Sequence, residues 1–350
     1  MAHRSKRARS ESGDNSRDLG SQGDPIAELQ RRFGGSTPHE SFWFDDASIV
    51  LQTDVHLYRV HKSTLAKYSS VFRDMLEMPS GGGGNGNAGG GGVDEDRWDG
   101  LPLVRMAGDD NRDVYHLLMT LYDRDFYNGR SRATVEIMSS LLLMSTKYDI
   151  PSIRKQVIEE LEKYYPHDIG KAFGTTETWP ERFGDVPDEV DFLFLAVVLR
   201  CNVRRLLPMI LYQCAVESMP FILESSDIID KETLHKILIG RERLVEMTYD
   251  IGFLLLFPSE GCESENCFQA RRTLCEVFTR SRGIHSGVFP ISAIKYSLKS
   301  KSKNHEAFRS ACNTCALKSS RAREQFKTKF WDELPEIFGL GTWAELLNDE

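Results

Sequence analysis

The 350-residue chain lacks a long hydrophobic run; the most extended, Phe192 to Leu199, is eight residues long and stops at Arg200. A membrane span needs about 20 apolar residues, so no membrane partner is expected. An apolar signal region is missing too, because polar sequence follows the basic opening MAHRSKRARS. No N-x-S/T sequon occurs, and seven cysteines, an odd number, do not resemble a disulfide scaffold. These absences place the expected setting inside the cell, in nucleus or cytoplasm. Positive charge is not in surplus: 44 Lys and Arg against 52 Asp and Glu leave −8. Direct nucleic-acid binding is therefore not expected, since phosphate contacts need excess cations. G-x-S-x-G, H-E-x-x-H and a phosphate loop are absent, so neither an enzyme nor a small-molecule substrate is expected. No repeat period of the kelch or ankyrin kind is visible.

What is present is ordinary for a folded chain. Hydrophobic residues make up 40% and charged residues 27%, ordinary for a soluble chain, and the length suggests two folded domains or one large one. Residues 1–39 are rich in Ser, Gly, Arg and Asp, and read as a disordered tail. Within it, Lys6-Arg7-Ala8-Arg9 fits a short nuclear-import pattern, although a solvated basic tail is the commoner meaning of such tetrapeptides.

Order is expected from Phe42. The stretch FWFDDASIVLQT reads as two short strands or one bent one, and DVHLYRVH as the hairpin partner. Helical patterns follow over Lys62–Tyr68 and Ser70–Met78, with Ser70 as N-cap and Pro79 as stop. Residues 80–99 are Gly-rich. Gly81, Gly83 and Gly86 formally match G-x-G-x-x-G, but no helix opens from them, so a flexible insertion is expected. LPLVRMA reads as a strand, after which Asp109 and Asp110 can cap a helix carrying Val114, Leu117, Leu118 and Leu121 on one face. Further helices are expected from Arg132 to Tyr148 and, opened by Pro151, from Ile153 to Tyr164, the latter with Glu159, Glu160 and Lys163 in solvent. The fold class is α+β.

Four blocks in this order resemble the BTB/POZ family. Tyr58-Arg59-Val60-His61-Lys62-Ser63-Thr64-Leu65 is similar to its aromatic-x-x-His-basic-x-x-Leu core, and Ser69 to Leu76 to its Ser-x-x-Phe-x-x-Met/Leu continuation. Val114 to Tyr122 and Leu141 to Ile150 resemble the next two helices. Trp43 to Gln52 and Leu334 to Leu346 resemble the two ends of a fungal class of BTB proteins. The resemblance implies a BTB/POZ domain over 40–165, a linker over 166–186 and a helical C-terminal domain over 187–350. It makes His61, Phe72 and Tyr122 fold-signature residues and not a site. It also implies protein partners: a homodimer through Phe42, Trp43 and Phe44 with Lys62, Leu65 and Tyr68, unless the three aromatics pack within one protomer. A cullin-type ubiquitin ligase is the alternative partner. For that role the hydrophobic-x-Glu signal after the third main helix is missing; Leu121-Tyr122-Asp123 is only a partial match.

In the C-terminal half, FLFLAVVLRCNVRRLLPMILYQCA reads as a buried helical pair broken at Pro208, with Cys201 and Cys214 in its core. Helices are expected over Ser225–Ile239 and Glu242–Phe257. Cys262 and Cys267 have four residues between them, Cys312 and Cys315 two. Thiolates so spaced can supply the four tetrahedral ligands of a structural zinc, with Cys275, His285 and His305 as substitutes. Ordinary free cysteines or a redox pair are the competing readings. An aromatic end, Phe326 to Trp343, is expected to dock the C-terminus.

Overall fold

The computed structural model describes residues 35–77, 97–127, 133–174, 186–256, 260–280, 290–291 and 311–348. The expected tail up to residue 34 and most of the Gly-rich insertion lie outside them. The architecture is α+β, mainly helical with one five-stranded sheet. Among the described residues two compact units are present, one drawn from within 35–61 and 97–111, the other from within 62–77 and 112–348.

The first unit holds β1 (Thr37–Trp43), β2 (Ile49–Gln52), β3 (His56–Val60), β4 (Arg97–Trp98) and β5 (Leu101–Arg105), in the spatial order β1-β3-β2-β5-β4. The FWFDDASIVLQT stretch is two strands, and β1 begins five residues before Phe42. β2 and β3 form the expected antiparallel hairpin, with Ile49 opposite Val60 and Gln52 opposite Leu57. Thr53 makes the turn, its hydroxyl accepting from the Val55 and His56 N–H groups at 3.3 and 2.9 Å. Ile49, Val50 and Leu51 are all buried, the mark of a central strand covered on both faces. Inside the stretch expected to be a flexible insertion, β4 pairs with β5, and Trp98 meets Trp43 edge-to-face at 6.0 Å. A large aromatic with a partner can order a short strand even beside glycines.

The second unit begins with α1 (Lys62–Tyr68) and α2 (Ser70–Glu77). The cap of α2 is Ser69, not Ser70: its Oγ accepts from the Phe72 N–H at 2.9 Å. Ser70 is the first helical residue, and its hydroxyl donates to the Asp149 carboxylate. Next come α3 (Asn111–Tyr122), α4 (Val135–Lys147) and α5 (Pro151–Leu161). Val135, Met138, Leu141, Leu142 and Ser145 are buried on α4, as their spacing requires. On α5, Glu160 departs from expectation. It is buried, and Lys163 reaches its carboxylate at 2.8 Å, so pairing makes burial tolerable. A short α6 (Ile169–Ala172) lies in the expected linker.

The apolar stretch forms α7 (Val190–Arg200) and α8 (Leu207–Val216), with Cys201 and Cys214 buried. The break falls at Cys201–Val203, where Asn202 takes φ 52°, and not at Pro208. Pro208 sits in the first turn of α8, where its missing N–H costs nothing. The buried Arg241 guanidinium closes the other end, donating to the carbonyls of Ala215 and Glu217. After α9 (Met219–Glu224), a single helix α10 (Lys231–Leu256) replaces the two expected. Gly240 lies within it because a Cβ there would overlap the Phe338 ring. The chain continues through α11 (Glu265–Arg280), α12 (Asn313–Ile337) and α13 (Trp343–Asn348), with α10 packed on both α11 and α12.

The aromatic end docks as expected. Phe330, Trp331, Leu334, Phe338 and Leu346 are buried, Phe330 meets Tyr212 at 5.8 Å, and Trp343 stacks on Trp331 at 5.1 Å. Gly339 (φ 68°) ends α12 in a Schellman turn, with Leu340 N–H on the Pro335 carbonyl at 3.0 Å. Thr342 and Glu345 then cap α13 reciprocally: Thr342 N–H reaches the Glu345 carboxylate at 2.7 Å and Glu345 N–H the Thr342 hydroxyl at 3.3 Å.

Candidate metal centre

Two helix starts build this site. Cys262 lies in the turn after Gly261 (φ 73°), and Cys267 is the third residue of α11, its N–H bonded to the Ser264 carbonyl. Cys312 is the N-cap of α12, and Cys315 is in its first turn. Cys267, Cys312 and Cys315 therefore sit at helix N-termini, where backbone N–H groups and the helix dipole favour negative sulfur.

All four sulfurs lie within 4.8 Å of one another. Cys262 Sγ and Cys312 Sγ are 3.9 Å apart. Sulfurs at about 2.3 Å from a tetrahedral ion would be about 3.8 Å from each other, so the cluster already has nearly the dimensions of a four-thiolate site. The two pairs come from segments 45 or more residues apart in sequence, and the fold alone brings them together.

The donors around the sulfurs are unequal. Cys312 N–H donates to Cys267 Sγ at 3.0 Å, Cys315 N–H to Cys312 Sγ at 3.5 Å, and the Arg271 guanidinium to Cys315 Sγ at 3.2 Å. The Cys312 N–H holds the Cys267 thiol below its ordinary range. At Cys312 the Cys315 N–H favours the thiolate, but the adjoining sulfurs of Cys267, Cys315 and Cys262 outweigh it and push the thiol up to about 11. Thiols this close compete for charge, and a divalent cation would remove the conflict by neutralising all four. Cys267 is 1% exposed and Cys315 8%, whereas Cys262 and Cys312 are half-buried. The four cysteines can thus hold a metal ion. Cys275 lies on α11, but its side chain, like His285 and His305, lies outside the described residues.

The other named residues fall elsewhere. His61 Nε2 lies 3.1 Å from the Asp46 carboxylate, and its ring leans on Phe44 at 5.1 Å. Phe72 is buried and stacks on Tyr148 at 4.5 Å; Tyr122 is half-buried. Phe42 and Leu65 are buried, Trp43, Phe44 and Lys62 are half-buried, and Tyr68 is exposed. One polar chain was not legible in the sequence. Ser140 donates to Asp113 at 2.6 Å and meets His116 Nδ1 at 2.9 Å, tying α3 to α4. Ser140 is 2% exposed, so this is a buried cross-link and not an accessible nucleophile. His116 among Val114, Leu117 and Leu118 on the apolar face of α3 was its one signal.

Among the described residues, no single helix is long and apolar enough to cross a membrane. No protein-family model, no curated protein and no solved structure matches this chain.

Proposed function

We propose that this chain is a non-enzymatic protein–protein interaction module of BTB/POZ type, acting as an intracellular scaffold, with a C-terminal helical part clipped by one structural zinc. The observation that carries the zinc is the convergence of Cys262, Cys267, Cys312 and Cys315 within 4.8 Å. Four sulfur ligands suit Zn²⁺, which accepts tetrahedral thiolate sets, and leave no open position for a catalytic water.

The interaction reading is supported by where the resembling blocks lie. Leu65, Phe72, Leu141, Tyr148 and Ile150 are core residues, so these blocks serve a scaffold and not a cleft. Beside them Tyr68 and Val71 are 38% and 39% exposed, an apolar pair on α1 and α2 that a partner would cover.

Light scattering and metal analysis on the full chain test both halves. A dimer that becomes monomeric in Tyr68→Ala/Val71→Asp, carrying stoichiometric zinc, is the expected result. A monomer that co-purifies with a cullin would replace self-association with the adaptor role. Iron in place of zinc, or no metal, would overturn the zinc.

A further inference from the structure

The four sulfurs are not equally protected. Cys267, Cys312 and Cys315 each receive an N–H donor, from Cys312, Cys315 and Arg271 respectively. Among the described residues no N–H donor reaches Cys262, whose nearest recorded neighbours are sulfurs. Hydrogen bonds to a metal-bound sulfur withdraw charge and lower its reactivity, so Cys262 keeps the most nucleophilic lone pairs. It is also one of the two half-buried members of the set.

Position adds to this. Cys262 follows Gly261, in a turn outside any helix, and nothing lies within 4 Å of where a Gly261 Cβ would be. The nearby Cys312 is fixed as a helix cap. Their sulfurs are 3.9 Å apart and must close to about 2.05 Å to bond, a shift the turn can supply without moving α12.

We infer that Cys262 is the oxidant-reactive ligand of the cluster, and that a peroxide converts Cys262 and Cys312 to a disulfide and releases the metal. This rests on the zinc reading above. The Cys262 thiolate attacks one peroxide oxygen and breaks the O–O bond, giving a sulfenic acid and hydroxide. The Cys312 thiolate attacks that sulfur, forms the S–S bond and expels a second hydroxide. Two electrons pass from the sulfurs to hydrogen peroxide, and both hydroxides take protons from water or buffer. Cys267 and Cys315 remain, too few to retain the ion against solvent. Oxidation would thereby unclip α11 from α12.

The test uses the full chain as purified with its zinc. Hydrogen peroxide is added at one equivalent, zinc release is followed with a chromophoric chelator, and the peptides are mapped by mass spectrometry. Stoichiometric release together with a Cys262–Cys312 disulfide is expected. In limited alkylation with iodoacetamide, Cys262 should react about fivefold or more faster than Cys267, the factor of one missing hydrogen bond. Arg271→Met removes the donor on Cys315, and should raise alkylation at Cys315 severalfold while leaving Cys262 unchanged. Zinc retained under peroxide, a first disulfide between Cys267 and Cys315, or an Arg271→Met chain alkylated like the parent would each overturn the inference with the zinc reading intact. A chain purified without zinc fails earlier and removes both.

Discussion

The two ends of α12 are held by different physics. From Asn313 to Gln325 its only buried residue is Cys315. From Phe326 to Pro335 it buries Phe326, Phe330, Trp331, Leu334 and Pro335. The second end meets Tyr212 of α8 and continues into a Schellman turn whose Phe338 fills the space left by Gly240 on α10. Apolar burial suffices there, at about 25 cal/mol per Å². The first end has almost no apolar area to bury, and neither has the described start of α11, where Cys267 and Ala270 alone are buried. One helix thus carries both arrangements: where its sequence is too polar to be held by packing, four sulfurs converge instead.

Metal removal should break this comparison most sharply. Structural zinc in small folds contributes roughly 10–16 kcal/mol of binding free energy. A chelator should raise hydrogen exchange over residues 313–325 while residues 326–337 keep their protection. Uniform loss across α12 would show that its halves are not independent. Phe330→Ala comes next. The ring is fully buried, so the expected loss is about 3–5 kcal/mol in urea unfolding, with zinc stoichiometry unchanged in the folded fraction.

A smaller effect concerns pH in the packed region. Burial pushes the Asp191 carboxyl up to about 6; the Tyr165 hydroxyl bonded to it at 2.5 Å pulls the other way, and Glu217 adds to the rise. A folded value above the unfolded one means that ionisation disfavours the fold. Stability from this group is fully present below about pH 4, falls as pH rises towards 6, and stays reduced above it, by about 3 kcal/mol. Asp191→Asn should therefore gain stability over the parent at pH 7 relative to pH 4; an unchanged difference would refute the shift. The least change is expected from Trp343→Phe, which keeps the stack on Trp331 but loses the indole N–H donated to the Trp331 carbonyl at 2.7 Å. The cost is about 1 kcal/mol, read as a small drop in Tm.

The residues that were legible in advance are those whose role is set by near neighbours in sequence. The β2–β3 hairpin, the buried stripe of α4, the burial of Cys201 and Cys214 and the aromatic end all follow from periodicities of two or 3.6 and from local caps. Chain geometry alone imposes those patterns. The two cysteine spacings were equally visible, but zinc ligands and ordinary thiols looked alike in them. What the spacings did not show was that the four sulfurs meet. α10 carries both α11 and α12, and so brings Cys262 and Cys267 against Cys312 and Cys315. The same holds where local patterns misled. Glu160 is buried because Lys163 pairs with it, Gly240 extends a helix because Phe338 needs its space, and Trp98 orders a strand because Trp43 meets it. Phe338 and Trp43 are groups that sequence spacing does not place against Gly240 and Trp98, whereas Lys163 is only three residues from Glu160 and the fold decides the burial of that carboxylate. The sequence by itself determined the hairpin, the buried stripe of α4 and which residue types were on hand. Only the tertiary structure decided which of them meet, because contact energies act through space and not along the chain.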